Sequence, residues 1–265
     1  MKHIFIINLL QDEKKKTYMQ MLAAQQGLKV EFIEATNGAL LDSETINDIY
    51  SPRKAIDCIG RELSKGEIGC FLSHQKIFQR IMDENIEEAV IMEDDVYFDA
   101  GLLTFINNRD KLPNDTELVL LGYWQKGVND MKKLISYRYA KVLTSQYRIV
   151  RFCTHVYGTY GYYITRKGAG KLLKSFESGI VMPIDHYVCD DNYVNLYGLF
   201  PPVVHIEKQF DVEKSDLEAE RRKMRKDTHN IFENNALIWN FEIVQKFYFS
   251  LKRRYKQIKS LKEYS

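Results

Sequence analysis

The sequence predicts an α/β fold on a mainly parallel sheet, and three observations carry that prediction. Short apolar, β-branched runs recur at residues 3–9, 89–92, 118–121 and 161–165. Their near-continuous hydrophobicity suits strands buried on both faces. Stretches of helical periodicity at 12–26, from 64 onward and at 167–176 separate them, and such alternation favours strands that run mostly one way.

At 265 residues, 45% of them hydrophobic, the chain can bury one large core or two modest ones. Its 38 basic and 36 acidic residues leave a formal charge of +2, so no global field recommends nucleic acid as a partner. No aromatic-basic RNA motif or helix-turn-helix pattern appears either. Cys58, Cys70, Cys153 and Cys189 lie far apart without a CxxC pair, as in a reducing compartment. The apolar run after Lys2 is short, is interrupted by Asn8 and lacks a small-residue cleavage site. No run approaches the ~18 apolar residues of a membrane span. The expected setting is the cytoplasm, or the inner face of the cytoplasmic membrane.

In chain order, residues 3–9 read as a central strand. Asp12 then caps a helix to Gln26, with Tyr18, Met21 and Leu22 on one face and Gly27 as its stop. Residues 30–35 form a second strand and Asn37-Gly38 turns out of it. After an irregular stretch to 63, Ser64 and Glu67 have capping-box spacing and open a helix that turns Ile68, Phe71, Leu72, Ile77, Phe78 and Ile81 inward. The strand at 89–92 runs directly into Glu93-Asp94-Asp95. Residues 127–147 read as a long polar excursion, a flap over the sheet. Beyond Pro201-Pro202 the character changes: a charged stretch at 211–227 precedes an apolar seam of Leu237, Phe241, Val244, Tyr248, Leu251, Tyr255 and Ile258. This divides the chain into an α/β domain at 1–208 and a charged, amphipathic helical extension at 209–265.

Three successive carboxylates at the end of an apolar strand repel one another, and a cation or solvent must offset the repulsion. On extended backbone Glu93 and Asp95 share one face and Asp94 takes the other. Oxygen ligands suit Mg²⁺ or Mn²⁺, which keep positions for substrate phosphates, and the carboxyl end of a parallel strand is where open sheets bind nucleotides. A solvated acidic turn fits the residue types too.

The block Gly66-Glu67-Ile68-Gly69-Cys70-Phe71-Leu72-Ser73-His74, followed nineteen residues after His74 by Glu93-Asp94-Asp95, resembles glycosyltransferase family 25. These are the lipooligosaccharide galactosyltransferases of Gram-negative bacteria, with relatives that glycosylate collagen. Ile7-Asn8-Leu9, Ala35-Thr36-Asn37-Gly38, Tyr163-Ile164-Thr165 and Pro183-Ile184-Asp185 follow the family's order, so the resemblance spans roughly residues 3–205. Where the family usually shows arginines after the first strand, this chain has Gln11, Lys14, Lys15 and Lys16, and Asn37 stands for a usual Asp.

The resemblance implies a GT-A-like nucleotide-binding domain and an inverting, metal-dependent transfer of a hexose. Galactose from UDP-galactose is the leading donor, and a lipooligosaccharide or related surface glycan the acceptor. Mn²⁺ or Mg²⁺ would rest on Glu93 and Asp95, with His205 as a further ligand. Asn8, Asn37, Gly38, Ser73, His74 and Asp94 would contact the UDP-sugar. Asp185 is the candidate base, with Asp190 and Asp191 as rivals and a helix N-cap as its structural alternative. Cys70 and His74 also have the i, i+4 spacing of zinc sites, without two further ligands nearby. The alternative function is a non-catalytic nucleotide-sugar or glycan binding protein of the same fold. A glycosidase would want two separated carboxylates and no metal.

Lys252, Arg253, Arg254, Lys256, Lys259 and Lys262 crowd the end of the C-terminal seam. A basic amphipathic helix suits peripheral contact with an anionic membrane, and the same seam suits packing on the α/β domain or on a second copy in a homo-oligomer.

Overall fold

A computed structural model describes residues 2–125, 128–177 and 179–210, so the extension expected at 209–265 lies almost wholly outside the described residues. The chain opens with β1 (Ile4–Asn8), α1 (Glu13–Gln25) and β2 (Glu31–Glu34), then α2 (Ser43–Ile49), α3 (Pro52–Ile59) and α4 (Lys65–Asp83). Next come β3 (Glu88–Glu93), β4 (Val96–Phe98), α5 (Gly101–Asn107), β5 (Leu118–Leu120), β6 (Ile135–Val142) and β7 (Arg148–Phe152). It closes with β8 (Gly161–Thr165), α6 (Arg166–Ser175), α7 (Ile184–Val188), β9 (Leu196–Phe200) and β10 (Val204–Ile206). Among the described residues, no helix is long and apolar enough to cross a membrane.

Eight strands form one sheet in the order β2-β1-β3-β8-β5-β9-β7-β6. Following the pair directions across it, only β8 and β7 run against the other six, so the sheet is mainly one-directional as expected. Both faces are covered, which is why the central strands are apolar along their interior positions. Phe5, Ile7, Ile91, Leu120 and Tyr162 pack with α4, α6 and α7 on one face. Ile4, Ile6, Val90, Met92 and Tyr163 pack with α1 and α5 on the other. This is the GT-A-like α/β architecture that the resemblance implies.

The ends of α4 form as its sequence dictates. Glu67 N–H donates to Ser64 Oγ over 3.2 Å and Ser64 N–H donates to Glu67 Oε2 over 3.0 Å, completing the capping box. Arg61 grips the buried Glu67 carboxylate with both terminal nitrogens at 2.8 Å. Ile68, Phe71, Ile77, Phe78 and Ile81 are buried, at about 1.5–3 kcal/mol per large side chain. In α1 the buried face is Met19, Leu22 and Ala23, whereas Met21 is exposed, because the i, i+3, i+4 stripe passes through Met19.

The flap expected at 127–147 is corrected. Residues 135–142 form β6, the sheet's outer strand, paired antiparallel with β7. Its alternation of half-buried and exposed side chains, with Tyr137 and Tyr139 exposed, makes an edge strand look like polar loop in sequence.

Two glycines dock α4 against the loop that leaves β2. A Cβ on Gly69 would stand 2.6 Å from both Gly38 N and Thr36 O, and one on Gly38 would stand 1.7 Å from Lys65 O. The backbones touch there, so only glycine fits. Ser73, one turn on, accepts from Thr36 N–H over 2.9 Å and donates to Gly69 O over 2.7 Å. In an unencumbered helix Gly→Ala gains up to about 1 kcal/mol. Gly69→Ala is expected instead to lose about 1–3 kcal/mol in urea unfolding, because the methyl group forces the loop away.

Candidate active site

The strands β1, β2 and β3 are parallel, so Asn8, Glu34 and Glu93 end at one edge of the sheet. The strand ends at Glu93, and Asp94-Asp95 form a turn into β4, so the strict alternation expected through Asp95 stops at Glu93. Each carboxylate then meets a different part of the fold.

Asp94 Oδ2 accepts from Asn8 Nδ2 over 2.7 Å, and Lys15 Nζ lies 3.8 Å from its other oxygen. Burial, the largest influence, raises the Asp94 carboxyl, Lys15 and Asn8 draw it down and Asp95 and Asp12 raise it, which together leave it at about 6. Burial opposes the Lys15 charge, but Asp94, Asp12 and Asp95 more than offset it and hold the ammonium above its ordinary range. Lys15 is thus the cation that stands beside the acidic turn.

Glu93 faces the other way. Its Oε1 accepts from Thr159 Oγ1 over 2.8 Å, and the same hydroxyl lies 2.8 Å from Asp185 Oδ1. A hydroxyl has one proton, so it donates to one carboxylate while the other close contact is a hydrogen bond only if that carboxyl is protonated, and a cation beside the pair would lessen the repulsion between them. His74 is fully buried: Tyr162 Oη meets its Nδ1 at 2.7 Å, and its Nε2, without a hydrogen-bond partner, points to Glu93 Oε1 at 3.9 Å. With Tyr162 accepting from Nδ1–H, Nε2 carries the lone pair that ligates cations. Among the described residues, the group of three potential ligands within 4.8 Å of one another is Cys70, His74 and Glu93. An orphaned buried imidazole nitrogen beside carboxylates fits a divalent cation.

The remaining expected residues fall as follows. Glu93, Asp95 and His205 do not form a comparably close ligand group among the described residues. His205 is exposed opposite Tyr97 on the β10–β4 ladder, and it is Glu207 N–H that reaches the Asp95 carbonyl, over 2.9 Å. Ser73 and Gly38 are buried in the docking of α4. Asn37 caps the short turn Gly38–Leu40 and lines a cleft of about 260 Å³ with Leu10, Gln11, Thr36, Leu40 and Lys76. A larger cleft, about 360 Å³, lies at the opposite sheet edge around Glu87 and Thr165, away from the acidic turn, and the chemistry favours the smaller one. Asp185 sits in the first turn of α7, where Pro183 is the cap residue, so the N-cap reading of Asp185 fails. Its rival Asp190 accepts from Asn192 in a local turn. Thr159 has no local signal in the sequence; only the pairing of β8 against β3 reveals it.

The raised Asp94 pKa has a signed consequence. The folded chain holds that proton more tightly than the unfolded chain, whose Asp titrates near 3.8, so folding stability falls as pH rises from about 4 through 6. The ceiling of that cost is about 3 kcal/mol. Asp94→Asn is expected to raise urea-unfolding stability at pH 7.5 by up to about 3 kcal/mol, with the difference gone near pH 4.

Comparison with known proteins accords with this geometry. The family model for glycosyltransferase family 25 (LPS biosynthesis protein) matches residues 1–188. Procollagen galactosyltransferase 2 of Homo sapiens is 29% identical over 192 residues, covering 70% of this chain and 29% of that protein. A glycosyltransferase 25 family member of Aedes aegypti is 31% identical over 189 residues, covering 70% of this chain and 30% of the relative. The chain thus spans under a third of the length of these curated relatives. Among solved structures, mouse xyloside xylosyltransferase 1 in its apo form is similar at TM-score 0.33 and 8% identity, over 72% of this chain and 81% of that one. A glycosyltransferase involved in glycosylation of the major capsid of PBCV-1 reaches 0.30 and 12%, over 63% and 62%. Both scores are too low to bear on function. With a family match over most of its length, and with its acidic turn and the α4 block packed at one sheet edge, the chain belongs to glycosyltransferase family 25.

Proposed function

We propose that the chain transfers a hexose from a UDP-sugar to a hydroxyl of a surface glycan with inversion, in a reaction that depends on a divalent metal. The observation that carries this reading is the meeting of Glu93 and Asp185 at Thr159, beside a cleft at the ends of β1 and β2. Galactose is the leading donor sugar, supported by the names of the procollagen galactosyltransferase relatives. A lipooligosaccharide or related acceptor is supported by the family's description. The basic seam beyond residue 237 would bring the enzyme to an anionic membrane surface, where lipid-linked acceptors sit.

The cleft suits a nucleotide. Exposed Leu10 and Leu40 offer apolar lips for a base, Thr36 and Asn37 offer polar atoms for a ribose, and Lys76 offers positive charge for a diphosphate. Glu93 and Asp95, with His74 behind Glu93, would hold the cation, which when bound stabilises charge on the departing diphosphate. Asp185 takes the acceptor hydroxyl's proton as that oxygen attacks. Thr159 fixes the Asp185 carboxylate by hydrogen bonding, so that one of its oxygens is presented in a single direction.

The test is a panel of UDP-sugars with Mn²⁺, reading UDP release with and without chelator, and the anomeric configuration of the product by NMR. UDP-galactose should give the fastest release, chelator should abolish it, and the α-linked donor should give a β-linked product. Asp185→Asn should lower kcat by about 10²–10⁴-fold with donor KM little changed. Near-normal turnover in that variant removes Asp185 from the base role, and no UDP release from any donor would falsify the reading as a whole.

A further inference from the structure

Beside the carboxylates, the same sheet edge carries aromatic side chains that the reaction as described does not use. Trp124 lies just past the end of β5 and pairs with Tyr157, each N–H donating to the other's carbonyl over 2.8 Å. Their ring centroids are 5.7 Å apart, tilted by 39°. Around Tyr157 stand His155, edge-on at 4.7 Å, and His186 at 5.8 Å. Trp124 is 45% exposed, a broad apolar face held in place while still open to solvent.

The backbone beneath it is closely packed. A Cβ on Gly122 would stand 2.3 Å from the Tyr160 ring, and one on Gly158 would stand 2.9 Å from Gly122 O. Gly158 also has φ +142°, a conformation that side-chain-bearing residues rarely adopt. The two segments therefore touch through glycines, and the rings they carry are pre-organised. Two residues past Tyr157 in the same segment, Thr159 bonds Asp185.

The rim of this aromatic face is polar. Burial, and then the charge of Asp185, raise the Tyr157 phenol, so that carboxylate is a close neighbour. Burial, and then His186, depress His155; burial, and then Arg61, depress His186. Both imidazoles thus favour the neutral form. Asp190 and Asp191 also act on His155 from this side. A flat apolar face rimmed by carboxylates and neutral imidazoles suits a pyranose, whose C–H face packs on the ring while its hydroxyls bond the rim. A phosphorylated ligand would be repelled by the carboxylates, and the nucleotide cleft lies on the other flank of Glu93.

We propose that Trp124, with Tyr157 beside it, is the platform on which a sugar ring of the acceptor stacks, its reactive hydroxyl turned toward Asp185. The acceptor role rests on the transfer reading above; the binding of a sugar ring by the platform does not.

The chain has two tryptophans, so Trp239→Phe leaves Trp124 as the sole indole reporter. In that background, titration with lactose, maltose, cellobiose and N,N′-diacetylchitobiose should give a saturable change in tryptophan emission with at least one sugar. The change should weaken in Tyr157→Ala. No saturable change with any of the four overturns the platform, whatever the enzymatic activity. In transfer assays Trp124→Ala should raise acceptor KM roughly tenfold or more, with donor KM and acceptor-independent UDP release within about twofold. Trp124→Phe should recover most of the loss, as a stacking role requires and a folding defect does not. An unchanged acceptor KM in Trp124→Ala, or a rise in donor KM alone, also overturns the proposal. Sugar binding to the platform without any transferase activity would instead sink the transfer reading and leave the platform standing.

Discussion

Negative charge gathered where β3 leaves the core is the constraint around which the rest of the structure is arranged. Glu93, Asp94 and Asp95 follow four buried apolar residues, so their carboxylates begin in a poorly solvated place. The groups that meet them come from separate elements. Asn8 comes from the end of β1, Lys15 from the first turn of α1, Thr159 from the approach to β8, and the Glu207 amide from the segment after β10. None is close in sequence to the acids, so the site exists only once the sheet is assembled. Even then the compensation is incomplete: Asp94 stays near 6, and one hydroxyl serves two carboxylates at Thr159. A site left short of positive charge is prepared to receive a cation or a proton.

The reversed direction of β8 matters as much as the charges. Because β8 runs antiparallel to β3, its start lies beside the end of β3, and the segment at 157–160 meets the acidic turn. A parallel β8 would put that segment at the opposite edge, beside Glu88. The same reversal brings Tyr162 across from Ile91 and under His74, so the imidazole is oriented by a strand it does not belong to. Helix α4 supplies the other half of the arrangement. Gly69 and Ser73 dock it to the loop after β2, while Cys70 and His74, one position on in each case, turn toward Glu93. The Gly66-to-His74 block is thus one helix with two working faces.

Those local features were legible in the sequence, and the long-range ones were not. The capping box of Ser64 and Glu67, the buried strands and the cap at Asp12 follow from residues a few positions apart, and all form as read. Residues 135–142 were not legible as strand, because an edge strand with polar residues on its open side lacks the apolar run that marks a central one. The docking role of the Ser73 hydroxyl was not legible, because a serine in a helix can bond the preceding turn and a neighbouring loop far away in sequence. The register of β10 was not legible either: it sets His205 opposite Tyr97, two positions before the residue whose N–H reaches the Asp95 carbonyl. Asp185 could be named from its motif, but its partner Thr159 could not, since neither charge nor periodicity distinguishes that threonine from any other.

Along the sheet edge the parts follow one another in the order of the strands. The cleft with Asn37 lies at β1 and β2, the carboxylates at β3 and the start of β8, and the exposed Trp124 beyond β5. An inverting displacement needs the attacking hydroxyl and the departing diphosphate on opposite sides of the reacting carbon, with a base on the attacking side. On the proposed reading the strand order supplies that separation without any moving part: donor on one flank, acceptor on the other, and Asp185 between them, held by Thr159. Because β8 separates β3 from β5, the two flanks are spaced by a strand width of about 4.8 Å on either side of it, room enough for a sugar ring to bridge the gap. The reversed β8, one of two strands whose direction the sequence could not announce, therefore both delivers Thr159 and sets the distance across which the reaction would run.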